Sequence, residues 1–369
     1  MRRVLFVGRM RYTSPLAVTQ AHKFEALGRV MDYRVLGTAA GGGPAPQRFT
    51  LLRQLPVRAL DGPAFYARLP FAIARELRSF RPDAVIAQSP YEGLLALIGR
   101  RLARSNAKVI VEIHGDWHTA TRLYGSSLRS SLAPLADRVA AWSVRHVDAI
   151  RTVSQFTAGL VRKLGVEPVA IFQAYTETDA FTAADPVPLP EQPHFAFVGV
   201  LERYKNIDGL AAAWRIAAPQ LPGVTLELVG DGRRVAVVEQ LLRDVPGQTV
   251  WHRRQTPAQL STLFDRSWAL VLPSFSEGLP RVVIEVLARG RPVVGSRAGG
   301  IPDAITDDDN GLLVPPGDAE ALAEALVRLA TDRALAERLA ARAKPSGEEL
   351  LVSPEEYARR VAQLVEDVV

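Results

Sequence analysis

The stretch WALVLPSFSEGLPRVVIEVLARGRPVVGS, Trp268 to Ser296, decides the fold. It opens with a short, continuous apolar run, WALVLPS (268–274), the pattern of a strand buried on both faces. Pro273 and Ser274 end it. Gly278-Leu279-Pro280 then turns the chain into a helix, with Pro280 in the first turn, where a missing N–H costs little. Val283, Val286 and Leu287 recur at helical spacing and face a core, leaving Arg281, Glu285 and Ala288 on the other face. RPVVGS (291–296) is a second short apolar strand. A strand, a helix and a strand in this order make a parallel βαβ unit.

The same pattern recurs on both sides. Before it stand HFAFVGV (194–200), TLELVG (225–230) and TVWH (249–252); after it comes GLLVPP (311–316), with helices at Ala319–Ala330 and Leu335–Ala343. The first half repeats the theme with RVLFVG (3–8), DYRVLG (32–37), DAVIAQ (83–88), KVIVEIHG (108–115) and DAIRTVS (148–154), separated by helix-length segments such as Tyr91–Arg104 and Ser127–His146. Apolar strands alternating with helices predict parallel sheets covered on both faces. TAADPVPLPEQP (182–193) holds four prolines in twelve residues, which excludes a helix or a central strand. The expected organisation is an α/β N-terminal domain over 1–181, a proline-rich hinge over 182–193, a second α/β domain over 194–350, and a terminal segment over 351–369. In that last segment Ser353, Pro354 and Glu356 spell a capping box for a helix that could pack back on the first domain. GGGPAP (41–46) reads as a loop.

Composition narrows the class. Hydrophobic residues make up 48% and charged residues 23%, enough apolar material for two cores. The absence of cysteine removes disulfides, Cys-zinc sites and thiol catalysis. The opening MRRVLFVGRMRYTSP has an apolar run too short for a signal peptide, and no stretch approaches ~20 apolar residues, so a cytoplasmic location is expected. The net charge of +6 is uneven: residues 1–180 carry 25 Lys/Arg against 13 Asp/Glu, whereas 181–369 carry 20 against 26. A basic half suits an anionic partner such as an anionic membrane surface or a lipid-linked acceptor, unless it is simply solubilising charge. Nothing interleaves aromatic and basic residues in the manner of a nucleic-acid site.

Ligands of open parallel sheets sit beyond the carboxyl ends of the strands, so the informative residues follow strands. Glu277 and Glu285 flank the start of the helix after WALVLPS, with seven residues between them. A helix N-terminus favours phosphate, and carboxylates accept hydrogen bonds from hydroxyls. Phosphate flanked by hydroxyl acceptors describes a sugar nucleotide; a capping glutamate beside a solvent-facing one is the plainer alternative. LVGDGRR has two glycines of a dinucleotide fingerprint, but lacks the third and the acid that would bind ribose. His114, Asp116 and His118 could be read as metal ligands, but they lie in a strand-to-loop segment with no partner motif.

FVGVLERYKNIDGL (197–210), LELVGDGRR (226–234), VLPSFSEGLPRVVIEVLARGRPVVGSRAGGIPDAI (271–305) and NGLLVPPGDAEALAEAL (310–326) together resemble the donor-binding domain of family-4 glycosyltransferases. These are retaining enzymes of the GT-B fold, with two Rossmann-like domains facing a cleft. The first half resembles the family more weakly, through its strand order, IHGDW (113–117) and TVSQFTAGLVRKLGV (152–166). The resemblance implies transfer of a sugar from a UDP- or GDP-linked donor to a lipid-linked, polysaccharide or small-molecule acceptor, without metal or other cofactor. It gives Glu285 the ribose hydroxyls and places Glu277 against the donor sugar. It gives Lys205 the leaving diphosphate, and assigns the cradle of sugar and phosphate to the amides of Gly278 and Leu279. His114 is implied to reach the donor sugar. Gly8 and Gly199, which follow the first strands of the two domains, are also placed at the donor, and Arg253 and Arg254 near the base.

The chain also departs from the family pattern. Val200 stands where an arginine is frequent, with Arg203 as its expected replacement, and Pro280 stands where glycine is frequent. Gly8 is followed by Arg9 rather than a second glycine, and QAYTETDAF (173–181) replaces the usual Asn-Gly. Three other readings use part of the pattern: a sugar-nucleotide epimerase or hydrolase of the same fold, a two-lobed sugar-binding protein, and a non-catalytic transferase-like subunit. The first lacks its expected histidines, the second is usually exported, and Lys205, Glu277 and Glu285 stand intact against the third.

Overall fold

The computed structural model describes residues 1–41, 43–123 and 133–369. The chain forms two compact units. The first comprises Met1–Trp117, Ser131–Thr176 and Val352–Val369; the second comprises Glu177–Leu351 and the described part of His118–Ser130.

The first unit is built on a seven-stranded sheet. Its strands are β1 (Arg3–Tyr12), β2 (Asp32–Ala39), β3 (Phe49–Leu52), β4 (Ala84–Ala87), β5 (Lys108–Ile113), β6 (Ala149–Thr152) and β7 (Ala170–Ile171). They lie in the order β3-β2-β1-β4-β5-β6-β7, every pair parallel. The central strands are buried on both faces, as their Val and Ile content requires. β3 and β7 lie outside the expected set. Both are sheet edges, four and two residues long and only half-buried, so neither leaves a strong apolar run. The helix expected over Ser127–His146 is described from Ala133, and its first six residues lie outside the described ones, as does Gly42 of the glycine loop.

The last segment folds as a helix, Pro354–Val368, and belongs to the first unit. Its Tyr357, Val361, Leu364 and Val365 share a core with Phe24, Leu27 and Met31. Arg2 pairs with Glu366 at 2.9 Å and Arg29 with Glu355 at 3.1 Å. Half of its expected capping box forms: Ser353 Oγ accepts from the Glu356 N–H at 3.0 Å, while the Glu356 carboxylate turns instead to Arg359 and Arg360.

The second unit carries β8 (His194–Val198), β9 (Thr225–Val229), β10 (Thr249–His252), β11 (Ala269–Leu272), β12 (Val293–Ser296) and β13 (Gly311–Val314). Their order is β10-β9-β8-β11-β12-β13, again all parallel. The helix after β11 is Arg281–Ala288. Pro280 stands one position before it as N-cap, with extended backbone (φ −75°, ψ 121°), rather than inside its first turn. Ala288, expected on the outward face, is buried with the core, so only Arg281 and Glu285 of that face keep access to solvent.

The proline-rich stretch 182–193 lies against this second unit. Arg289 donates to the carbonyls of Phe181, Ala184 and Asp185, Arg291 to that of Pro188, and Arg333 to those of Leu189 and Pro190. A chain rich in proline offers carbonyls but few amides, so a lining of guanidinium donors holds it.

Candidate active site

In each sheet the strand order reverses once, between β1 and β4 in the first unit and between β8 and β11 in the second. Loops leaving the carboxyl ends of those two strands diverge, and the crevice between them is where open α/β sheets bind ligands.

In the second unit the crevice is built from the loops after β8 and β11. After β8, Gly199 leads to a 3₁₀ turn, Arg203–Lys205, and then to Asn206 in the left-handed region (φ 55°). The Asn206 side chain accepts from the Gly209 N–H at 3.1 Å and caps the Ile207–Ala217 helix. This fixes Lys205 at the mouth of the crevice. After β11, the loop Pro273–Pro280 carries Glu277. The two loops are tied by a 2.7 Å hydrogen bond from the Phe275 N–H to the Tyr204 carbonyl. Across them Lys205 Nζ meets Glu277 Oε1 at 2.6 Å, the two side chains being 9% and 11% exposed. Little solvent screens this pair.

Glycines hold the loops in place. A Cβ on Gly199 would lie 3.4 Å from Lys205 Cε. Gly230 and Gly232, the glycines of LVGDGRR, have a packing role: a Cβ would sit 1.9 Å from the Gly199 carbonyl oxygen at the first and 2.5 Å from that of Leu201 at the second. Gly299, which no motif singled out, adopts φ +59°, and its Cβ would meet the Glu277 carbonyl oxygen at 2.4 Å and nitrogen at 2.6 Å. The neighbouring Gly300 N–H donates to that same carbonyl at 2.9 Å. The loop after β12 thus clamps the backbone of Glu277, and only glycine fits the clamp.

Glu285 lies on the helix that follows, its side chain 14% exposed and 4.0 Å from Arg281 one turn earlier. Burial pushes its carboxyl above the ordinary range, and Arg281 offsets this only in part. No side chain caps this helix, because the Pro280 side chain has no oxygen; the Pro280 carbonyl accepts from the Val283 N–H at 3.0 Å. Arg203 is exposed beside Lys205, and Val200 is exposed as well. Arg253 lies 4.8 Å over the Trp251 ring and pairs with Asp231 at 3.1 Å; Arg254 follows it in the exposed loop after β10.

Two residues assigned with this group belong to the first unit. Gly8 lies on β1 at its own switch point, against the Gln88 side chain that follows β4. His114 follows β5, its ring 39% exposed, with Nε2 3.1 Å from Glu112 Oε2. Among the described residues no three His, Asp or Glu side chains gather as a metal-ion site, so His114, Asp116 and His118 form none.

Comparison with known proteins follows the same division. The family model for Glycosyl transferases group 1 matches residues 182–345, and that for the Glycosyl transferase 4-like domain matches residues 16–173. A glycogen synthase of Mycobacterium tuberculosis is 28% identical over 278 residues, which covers 72% of this chain and 64% of the relative. The chain thus spans less than two thirds of the length of the curated relatives it matches. Among solved structures, sucrose-phosphate synthase from Thermosynechococcus elongatus superposes with a TM-score of 0.79 at 20% identity, covering 100% of this chain and 99% of that one. Anabaena HepE in complex with UDP and glucose gives 0.72 at 16% identity, covering 99% and 100%. At such identities the structural likeness shows the fold, which is GT-B. With both family models matched in order on the two Rossmann-like units, the chain belongs to the group 1, family-4 glycosyltransferases.

Proposed function

We propose that the protein is a retaining glycosyltransferase that moves a sugar from a nucleoside diphosphate to an acceptor hydroxyl. The observation that carries this reading is the Lys205–Glu277 pair at the switch point of the second unit, 2.6 Å apart beside an uncapped helix N-terminus. Breaking a sugar–phosphate bond builds negative charge on the leaving diphosphate. A fixed, poorly solvated ammonium and free helix N–H groups stabilise that charge where it develops. The diphosphate takes over the Lys205 charge, and Glu277 then faces the sugar. Glu285 accepts from the ribose hydroxyls, and its partly buried carboxylate gains the donors it lacks in the free protein. His114 is assigned a hydroxyl of the sugar. The donor is UDP- or GDP-linked, and one of the proteins with a similar fold, Anabaena HepE, has a structure in complex with UDP-glucose.

In this reading the acceptor is presented at an anionic membrane surface, with the protein cytoplasmic and peripheral. The support is one face of the Arg58–Ser79 helix, where Leu60 and Phe71 are 56% and 68% exposed beside Arg75 and Arg78. An apolar stripe flanked by guanidinium groups suits an interface of acyl chains and anionic headgroups. Among the described residues no helix is long and apolar enough to cross a membrane.

The test is incubation with a panel of UDP- and GDP-sugars, read by nucleotide release, by the stereochemistry of the product and by the shift in melting temperature. One donor that raises the melting temperature and is turned over with retention is the expected result. No stabilisation by any nucleotide sugar refutes the reading. Sedimentation with anionic and neutral vesicles tests the surface separately, and equal binding to both removes it.

A further inference from the structure

The first unit contains a buried ionic cluster that neither the fold nor the donor crevice explains. Glu112 and Arg151 are register partners on β5 and β6, adjacent strands inside the sheet, and are 2% and 0% exposed. Arg151 Nη1 donates to Glu112 Oε1 at 2.9 Å, and its Nη2 donates to the Phe172 carbonyl. The guanidinium lies 4.0 Å over the Phe172 ring and 5.8 Å from the ring of Tyr357 on the terminal helix. Burial works against the Glu112 charge. Arg151 beside it, the hydrogen bond with His114 and the field of Lys23 more than offset this and hold the carboxyl well below the usual carboxylate range. Glu112 is therefore held as a carboxylate at neutral pH.

Two buried charges are an expensive way to join two strands, since an apolar pair of similar volume is often as stable. The second oxygen of Glu112 accounts for the choice. Oε1 is taken by Arg151, which leaves Oε2 facing the ring of His114, two residues on and on the same side of the strand, at 3.1 Å.

We infer that Glu112 is a positioning residue for His114: it fixes the imidazole by accepting a hydrogen bond from Nε2, with Arg151 locking the carboxylate in place. A carboxylate only accepts, so Nε2 carries the proton in the neutral ring. Nδ1 is then the lone-pair nitrogen, turned away from Glu112 and ready to accept from a hydroxyl. A histidine held in one tautomer by a carboxylate behind it is the arrangement by which second partners tune a functional imidazole. The inference rests on the proposed role of His114 at the sugar. It adds that His114 acts there as a hydrogen-bond acceptor, which selects a sugar hydroxyl over a phosphate oxygen.

Glu112→Gln tests it. The amide keeps the shape, and Arg151, which can only donate, draws the amide oxygen to itself. The amide NH₂ is left facing His114 and forces the proton onto Nδ1, inverting the polarity of the exposed nitrogen. The six histidines allow the ¹⁵N ring shifts to be assigned by loss of one signal in His114→Ala. The expected result is an Nε2–H tautomer in the wild type and an Nδ1–H tautomer in Glu112→Gln. Transfer by Glu112→Gln should fall by ~10–100-fold in kcat with a folded protein, and Glu112→Asp should recover part of it. In the His114→Ala background Glu112→Gln should cost nothing further. An unchanged tautomer, or an equal loss in both backgrounds, overturns the positioning. A wild-type protein that transfers no sugar overturns the proposed function instead, and the tautomer measurement still decides the role of Glu112.

Discussion

Replacing Gly299 by alanine tests whether the site depends on the clamp behind Glu277. The glycine has φ +59°, and a Cβ there would stand 2.4 Å from the Glu277 carbonyl oxygen and 2.6 Å from its nitrogen. Ordinary contacts begin near 3.4 Å, so one of the two loops must retreat by about 1 Å. The atoms met are backbone, and no rotamer change relieves the clash. Left-handed strain costs ~1–2 kcal/mol, and loss of the Gly300 to Glu277 hydrogen bond adds ~1 kcal/mol. A total of ~2–3 kcal/mol corresponds to a melting point roughly 5–10 °C lower for a unit of this size. Activity should suffer more than stability, because a displacement of ~1 Å at a reacting centre costs ~100-fold in rate. Gly247→Ala is the control: Gly247 has φ +78° but no atom within 4 Å of its Cβ, so it takes the strain without the clash. Differential scanning calorimetry and donor turnover on both variants are the assays. Turnover by Gly299→Ala within threefold of wild type, or an equal loss in Gly247→Ala, would refute the clamp.

Lys205→Ala should remove ~10²–10³-fold or more of the turnover and also lower the melting temperature, since Glu277, whose side chain is 11% exposed, loses its ammonium partner; wild-type turnover would end the assignment of Lys205 to the leaving group. Glu285 gives a pH signature. Its carboxyl titrates above the ordinary range, and the ribose hydroxyls need its charged form, so donor affinity should weaken, as pH falls, earlier than an unperturbed glutamate predicts. Calorimetric titration across pH should show this in the wild type and not in Glu285→Gln. Glu227 on β9 gives a stability signature: burial opposes its charge, but His194 and Arg266 hold its carboxyl down at about 2 from 4.5. Its contribution is present above the unfolded value and is lost as pH falls from about 4.5 towards 2, so Glu227→Gln should flatten that limb of a melting-temperature profile.

Much of the fold was legible because buried parallel strands are written as Val- and Ile-rich runs, and helices between them carry a clear period. The edge strands β3 and β7 were not, since a short half-buried edge leaves no such run. Glu277 and Glu285 stood out as candidates because they flank a helix that follows a buried strand, whereas Lys205 came only from the resemblance of FVGVLERYKNIDGL to family-4 glycosyltransferases. The parts of the site that sequence missed are tertiary. Gly299 and Gly230 look like loop glycines until another backbone is found where a Cβ would go. Arg151 looked like a polar residue in a short strand, but lies fully buried because Glu112 stands beside it in register. Pro280 fell one position from where helix statistics put it, because the N-cap also accepts an extended residue with no side-chain oxygen.

The return of Val352–Val369 to the first unit makes the second unit an insertion within the first. The order in which the two units can be completed is therefore the reverse of the order in which they begin. Residues 177–351 are all available to fold before the terminal helix leaves the ribosome. The first unit, begun earlier, waits for its last helix with Phe24, Leu27, Met31 and the Phe172–Arg151 stack uncovered. That interval is when a chaperone would find its hydrophobic surface, and released chains ending at Leu351 and at Val369 should differ in protease resistance over residues 1–176 while their second units stay equally protected.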